Sequence, residues 1–379
     1  MKSADKRTAS LDVAGARLRN QRLVGEPFAT PEEVVRWLGA VQAQDYAGAK
    51  WAVAQRAADC GEADVEQACR DGRILRTHVL RPTWHFVLPE DIRWMLALTG
   101  PQVRARMATY NRQLSLDEGT FRSAQTVIAK ALAGGQALTR EELGQALAAA
   151  GIEASGPRLG HIMMRAEVDA LVVSGPRRGK LSTYTLLDER APRGRVLGRD
   201  EALAELAGRY FASHGPALTA DFAWWSGLTM GDARRGIEAA APRLASVAID
   251  DKTFWFVPGA AAAKARGRGA VHLLSNYDEL VVAYRDHAAS LAPGVAGMLR
   301  SRPDAVANHL VTVDGRVVGG WRRLEAKGVM TVETNLIARL GGGVQAALRA
   351  AAKRYQVFLA MPVKVRAAAR GARPRARGR

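Results

Sequence analysis

The sequence predicts an α+β protein in which tandem winged-helix (helix-turn-helix) domains surround a C-terminal β-rich domain. Three observations carry that prediction. Helical apolar spacing followed by a short two-stranded pattern recurs three times before residue 262, and beyond a basic, Ala-rich segment at 260–269 the apolar period becomes that of strands. The chain also has material for several cores, with 379 residues of which 48% are hydrophobic and 24% charged, where a domain takes roughly 100–200 residues.

The first unit is read as 1–115. In TPEEVVRWLGAV, Thr30 can cap a helix, Pro31 suits its first turn, and Val34, Val35, Leu38 and Val41 share one face. RILRTHVLRPTWHFVLPEDIRWMLALT then reads as a strand near 74–79, a turn at Arg81-Pro82, a strand near 83–88 and a helix begun after Pro89. The second unit, 116–195, has a helix after Leu138-Thr139 that runs through Ala149, a turn at Gly151, and a second helix in SGPRLGHIMMRAEVDAL. Its hairpin pairs LVVSG with LSTYTLL across the basic tip PRRGK.

The third unit, 196–262, opens with a helix from Asp200 to His214 and continues with two short helices across Gly227, with Thr219 and Thr229 as caps. LASVAID and KTFWFV follow as a hairpin about Asp250-Asp251. Residues 263–362 read as the β-rich domain: strands in VHLLSNYDELVVAY, HLVTVDGRVVGGWRR and GVMTVETN, a hairpin turn at Asp314-Gly315, and the closing helix VQAALRAAAKRYQVFL. Residues 363–379 read as a basic, disordered tail.

A formal net charge of +18 points to a polyanionic partner. Lys364, Arg366, Arg370, Arg373, Arg375, Arg377 and Arg379 supply seven of those charges, and 18 less 7 still leaves +11. The tail is either a solvated end or a non-specific arm on DNA. Cys60 and Cys69 have no spacing that would hold zinc or an iron–sulfur cluster. The polar start and the lack of an apolar run near about 18 residues predict a cytoplasmic, nucleoid-associated protein without membrane contact. We expect a monomer, no metal and no cofactor.

The seven histidines are scattered, and there is no zinc-protease helix, nucleophile elbow or Gly-rich phosphate loop. VQAQDYAGAKWAV stands out: Gln42 and Gln44 bracket Ala43 at the end of an amphipathic helix. Alone, such a pair reads as two surface or helix-capping glutamines. Arg76, His78, Arg81, Thr83 and His85 alternate along the 74–87 hairpin, where every second side chain shares a face. Some should line a groove on DNA, although the two histidines could instead be buried against backbone partners. Arg177, Arg178 and Lys180 at the hairpin tip, with Arg322 and Arg323, are candidate phosphate contacts or solvated charges. Trp84, Trp224, Trp225 and Trp255 sit inside regular elements and read as core; Asp278 and Arg285 could form an internal salt bridge.

Taken together, the Gln-apolar-Gln motif at 42–44, RILRTHVLRPTWHFV at 73–87 and SNYDELVVAYRD at 275–286 give a chain that resembles the AlkZ/YcaQ family of winged-helix DNA glycosylases nearly throughout, up to about residue 360. That family acts on bulky or crosslinked N7-alkyl purines. The resemblance implies a C-shaped body with Gln42 and Gln44 at the catalytic position. It places the chain in the double-glutamine branch, which includes self-resistance enzymes against DNA-alkylating natural products. Asp45 follows the place where another branch carries an acid.

The implied chemistry suits two neutral amides. N7 alkylation gives the purine a positive charge and makes it a good leaving group, so the glycosidic bond breaks with little acid assistance. Glutamine is no base at neutral pH, but it can hold and orient a water under C1′. The expectation is a monofunctional glycosylase on double-stranded DNA, with interstrand crosslinks among its substrates. No lysine is positioned as a Schiff-base nucleophile, and Lys50 reads as a phosphate contact at most. The alternative is a winged-helix transcription regulator or architectural DNA binder without catalysis.

Overall fold

The computed structural model describes residues 11–259, 269–292, 295, 309–336 and 341–367. Four groups of elements follow one another along the chain, mixed in helix and strand.

The N-terminal group comprises α1 (Val13–Asn20), α2 (Pro31–Leu38), β1 (Val41–Gln42), α3 (Tyr46–Ala54), α4 (Glu62–Arg70), β2 (Leu75–His78) and β3 (Trp84–Val87). Thr30 and Glu33 form a reciprocal capping box at the start of α2, and Gly39 with φ +80° ends it. This abrupt stop turns the chain into β1, which joins β3 and β2 in a three-stranded antiparallel sheet of order β1-β3-β2. A long helix, α5 (Ile92–Gln113), leads to the second group.

That group holds α6 (Glu118–Leu132), β4 (Leu138–Thr139), α7 (Arg140–Ala149), α8 (Gly156–Val168), β5 (Val172–Ser174), β6 (Thr183–Leu186) and the single turn α9 (Leu187–Arg190). Its strands pair in the order β4-β6-β5. Phe121, Ile128, Leu143, Ile162, Met163 and Val172 give it a core of its own.

In the third group, α10 (Arg199–Ser213) precedes α11 (Thr219–Ser226), α12 (Met230–Ala240) and the hairpin β7 (Ala245–Ile249) and β8 (Lys252–Phe256). Thr229 caps α12 as expected. Thr219 does not cap α11: the helix starts one residue earlier, and the free amide of Leu218 is taken by the Asp221 carboxylate at 3.0 Å. Gly227, with φ +71°, joins the two helices, and a Cβ there would lie 2.0 Å from the Leu80 carbonyl oxygen. Glycine is required because this turn presses against the β2–β3 loop.

The fourth group contains β9 (Val271–Leu274), α13 (Glu279–Val282), β10 (Leu310–Val313), β11 (Arg316–Ala326), β12 (Val329–Leu336), α14 (Gly342–Leu359) and β13 (Val363–Ala367). Its sheet runs β13-β12-β11-β10-β9, antiparallel except for β12 with β13. Two expectations fail here. The strand read through residue 284 stops at Leu274, because Tyr277 adopts φ +58° and the Asp278 side chain accepts from the Leu280 amide, starting α13. The tail read from 363 begins as β13, whose parallel pairing with β12 supplies its backbone bonds. Most of the 260–269 linker and residues 368–379 lie outside the described residues.

The β1-β3-β2 sheet lies between two cores. Leu75 and Val87 on one face pack with Tyr210, Phe211, Phe222, Trp225 and Tyr284, while Val41 and Phe86 on the other pack with Trp51, Trp321, Tyr355 and Phe358. The period-2 alternation of a strand makes both contacts possible at once. The N-terminal sheet is thereby clamped by the third group on one side and by the β-domain on the other.

Candidate active site

Gln42 ends β1 and lies directly opposite His85 on β3, which lies opposite Thr77 on β2. Cross-strand partners share a face, so the three polar side chains form one row across the sheet. Gln42 is only 5% exposed, yet its surroundings are polar. Its Oε1 accepts from Arg81 Nη2 at 2.7 Å, and its backbone N–H donates to Glu279 Oε1 at 2.7 Å. A guanidinium has only donors, so Arg81 fixes the amide with its oxygen inward and its two N–H hydrogens turned away.

Gln44 is exposed, and its Oε1 accepts a long bond of 3.4 Å from the Trp84 amide. Between the two glutamines, Ala43 is tied at both ends: its N–H donates to the Trp84 carbonyl at 2.6 Å and its carbonyl accepts from Arg76 Nε at 3.0 Å. Asp45 is spoken for locally, because its carboxylate caps α3 by accepting from the Gly48 amide at 3.1 Å.

The hairpin residues divide between the two faces. His85 and Arg81 stand with Gln42. His85 is wholly buried, and burial, with Arg81 and His78 nearby, pushes its pKa well below the usual histidine value; Nδ1 pairs with the Thr83 carbonyl at 2.9 Å. Arg81 is pulled below the ordinary arginine range by burial, against the opposing pull of Glu279. Thr77 Oγ1, Arg81 Nε, Thr83 Oγ1 and His85 Nε2 are buried without a hydrogen-bond partner in the described chain. Unpaired buried polar atoms cost about 1–3 kcal/mol each, so four of them beside Gln42 call for an explanation.

Arg76 and His78 lie on the opposite face. His78 is buried against the Glu167 carboxylate, with Trp84 Nε1 donating to the other oxygen at 3.2 Å, and Arg76 stacks over the Trp84 ring at 4.3 Å. With Tyr46, Trp84, Glu167, Arg177 and Tyr184, Arg76 borders a pocket of about 30 Å³, room for a water or two and far too small for a base. Strand register thus puts Arg76 and His78 on the face opposite His85.

The basic tip is also divided. Arg177 folds back over the Tyr46 ring at 4.6 Å and within 3.7 Å of Glu66, Arg178 pairs with Glu142, and Lys180 is exposed. Arg322 pairs with Glu333, which also takes Arg366 at 2.5 Å. Arg323 is raised above the usual arginine pKa: burial opposes this, but hydrogen bonding to Tyr355 and the charges of Asp45 and Glu62 outweigh it. Lys50 is only 5% exposed and bridges Glu62 at 2.9 Å and Glu66 at 2.7 Å, so it is neither a phosphate contact nor a free amine.

Two further readings change. Asp278 pairs with Arg56, not with Arg285, through bonds of 2.8 and 3.0 Å in a wholly buried setting. Trp225 is core, as read, whereas Trp224 is 48% exposed, its indole N–H held by the Val282 carbonyl and its ring 5.6 Å from Arg81. Sequence reasoning missed Glu279 and His214 altogether; the one available signal was an acidic pair leading the apolar run of DELVV.

Residues 35–358 match the DNA glycosylase AlkZ-like family. The chain belongs to it. As a member it is an enzyme of the DNA glycosylase class, with DNA as its substrate. A relative from Streptomyces sahachiroi, an interstrand DNA cross-link repair glycosylase, is 26% identical over 330 residues, which cover 83% of this chain and 88% of the relative. The solved structure of the Streptomyces sahachiroi DNA glycosylase AlkZ superposes with a TM-score of 0.76 at 23% identity, covering 93% of this chain and 98% of that one. The fold of this glycosylase is thus that of AlkZ over almost its whole length. Among the described residues, no three His, Cys, Asp or Glu side chains are grouped to hold a metal ion, and no helix is long and apolar enough to cross a membrane.

Proposed function

We propose that this glycosylase is a tandem winged-helix, monofunctional enzyme that hydrolyses the N-glycosidic bond of cationic N7-alkylated purines in duplex DNA, crosslinked purines included. The observation that carries the proposal is the Arg81–Gln42 bond. It holds one amide of the pair in a single orientation, while Gln44 stays exposed two residues away.

The two glutamines divide the work. Gln42 has its oxygen committed to Arg81 and offers N–H donors; Gln44 offers a carbonyl whose present bond is long. A water can donate to Gln44 Oε1 and accept from Gln42 Nε2, which leaves a lone pair to aim at C1′. No strong base is needed, because the cationic purine leaves neutral with the bonding electron pair, the positive charge passes to an oxocarbenium-like sugar, and the water that adds to C1′ gives up its proton to solvent; the gain comes from orientation and fixed dipoles. The buried, paired state of Lys50 fits hydrolysis by water and not a Schiff base. The lesion class is supported by the chemistry of the Streptomyces relative's named activity, cross-link repair.

The test is a duplex carrying N7-methylguanine, and a second carrying a nitrogen-mustard crosslink, scored for alkali-labile sites. Release by the wild type and its loss in Gln42→Ala, Gln44→Ala supports the reading. No release, or equal release by the double variant, rejects it, and protection of one preferred sequence without release would assign a regulator instead.

A further inference from the structure

Behind Gln42 sits a carboxylate that the reaction as described does not use. Glu279, at the start of α13, is fully buried. One oxygen accepts the Gln42 backbone N–H at 2.7 Å; the other accepts from Trp225 Nε1 at 3.0 Å and stands 3.4 Å from His214 Nε2. Burial lowers the His214 pKa although Glu279 opposes it, so the ring is neutral at pH 7. Ser213 Oγ donates to the Arg209 carbonyl at 2.7 Å and lies 2.8 Å from His214 Nδ1, and His214 Nε2 has no hydrogen-bond partner among the described residues. No arginine or lysine is paired with this carboxylate among the described ion pairs. A buried carboxylate held by neutral donors is a poor stabilising device, because desolvation outweighs what such donors return. Its value lies in the geometry it imposes.

We propose that Glu279 is a positioning residue for the hydrolysis: through its two oxygens it fixes the backbone of Gln42 to Trp225 of the third group, and so sets where the Gln42 amide meets the sugar. The inference rests on the functional reading above. Three parts of the chain converge on the group, β1 from the N-terminal sheet, α11 from the third group, and α13 from the β-domain, so the catalytic amide is registered against the whole body and not against its own short strand. A displacement near 1 Å of such a group lowers rates roughly 100-fold.

The experiment measures single-turnover base release from an N7-methylguanine duplex, the Kd for the same duplex, and thermal melting, in wild type, Gln42→Ala, Glu279→Ala, Glu279→Gln and Trp225→Phe. Glu279→Ala should release base roughly 100-fold more slowly with Kd within about twofold. Glu279→Gln keeps an oxygen for the Gln42 N–H and should recover part of the rate, and Trp225→Phe should slow release about 3–10-fold, since one donor is lost and the clamp on Gln42 remains. If Glu279→Ala does not fold, the other two variants decide: both melting near wild type and slowed at saturating DNA supports the proposal. Wild-type rates in the Glu279 and Trp225 variants beside an inactive Gln42→Ala overturn it and leave the functional reading intact. A fall in affinity matching the fall in rate overturns it in favour of a DNA-binding role, and an inactive wild type removes the reading itself.

Discussion

Arg81 Nη2 donates to Gln42 Oε1 over 2.7 Å, with both side chains more than nine-tenths buried. The residue before a proline turn in a hairpin reads as a natural DNA contact, yet this guanidinium points inward. Its long side chain reaches from the β2–β3 loop to the end of β1, and the same loop packs against Gly227 through the Leu80 carbonyl.

Arg81→Met should therefore slow single-turnover release on the order of 10²-fold, as for loss of a preorganised donor, with duplex affinity little changed. Arg81→Lys should regain part of the rate but not all, since one ammonium cannot reproduce the planar fork. Weakened binding with an unchanged rate at saturation would show a phosphate contact instead.

The Arg56–Asp278 pair predicts a stability effect away from the chemistry. Both side chains are buried, and Gln21 Oε1 shares the guanidinium at 2.8 Å. Asp278→Ala leaves an arginine uncompensated and should cost about 3–5 kcal/mol in urea unfolding, with Asp278→Asn costing less. Equal midpoints for wild type and Asp278→Ala would contradict this account.

Salt dependence should separate the basic residues of the β5–β6 tip. Lys180 is exposed and has no ion pair among the described residues, so Lys180→Ala should reduce the slope of log K against log salt by about 1 if it meets a phosphate. Arg177 already lies on Tyr46 and near Glu66, and Arg177→Ala should leave the slope nearly unchanged. The reverse order in a fluorescence titration would mean that the tip rearranges on DNA.

Acid should destabilise the fold through its buried imidazoles. His272, its Nε2 bonded to the Leu23 carbonyl at 2.9 Å, is lowered by burial to about 4 from 6.5. The unfolded chain then takes up a proton before the folded one does. Stability from this group is complete above about 6.5 and declines as pH falls toward 4, by about 3 kcal/mol in all. His85 and His214 act in the same direction. Melting curves between pH 7 and 4 should show the decline, with a shallower one in His272→Gln; parallel slopes in the two proteins would assign the loss elsewhere.

What the sequence discloses follows from how far each interaction reaches. Caps at Thr30 and Thr229, the break at Gly227 and the hairpin turns at Asp250-Asp251 and Asp314-Gly315 depend on neighbours within a few residues, and each is found where it was read. The paired glutamines were legible only through the company they keep with two other segments. The carboxylate behind Gln42 and the Arg56–Asp278 pair could not be read: Glu279 is 237 positions from Gln42, and Arg56 and Asp278 are 222 apart, so no window along the chain contains either contact. His78 and His85 show a third kind of limit. Alternation says which residues within one strand share a face, but their assignment to opposite faces depended on pairing register, His78 with Trp84 and His85 with Thr77.

The last described strand has a consequence for anyone shortening this protein. Val363–Ala367 lies along Val329–Leu336, and Arg366 is fastened to Glu333 across the pair. A stop codon placed after Pro362, as a basic floppy tail would invite, would strip that cover and present a raw strand edge to solvent. Such an edge recruits a neighbouring chain, so the trimmed product should self-associate as its concentration rises, and a soluble shortened form should retain residues through Ala367.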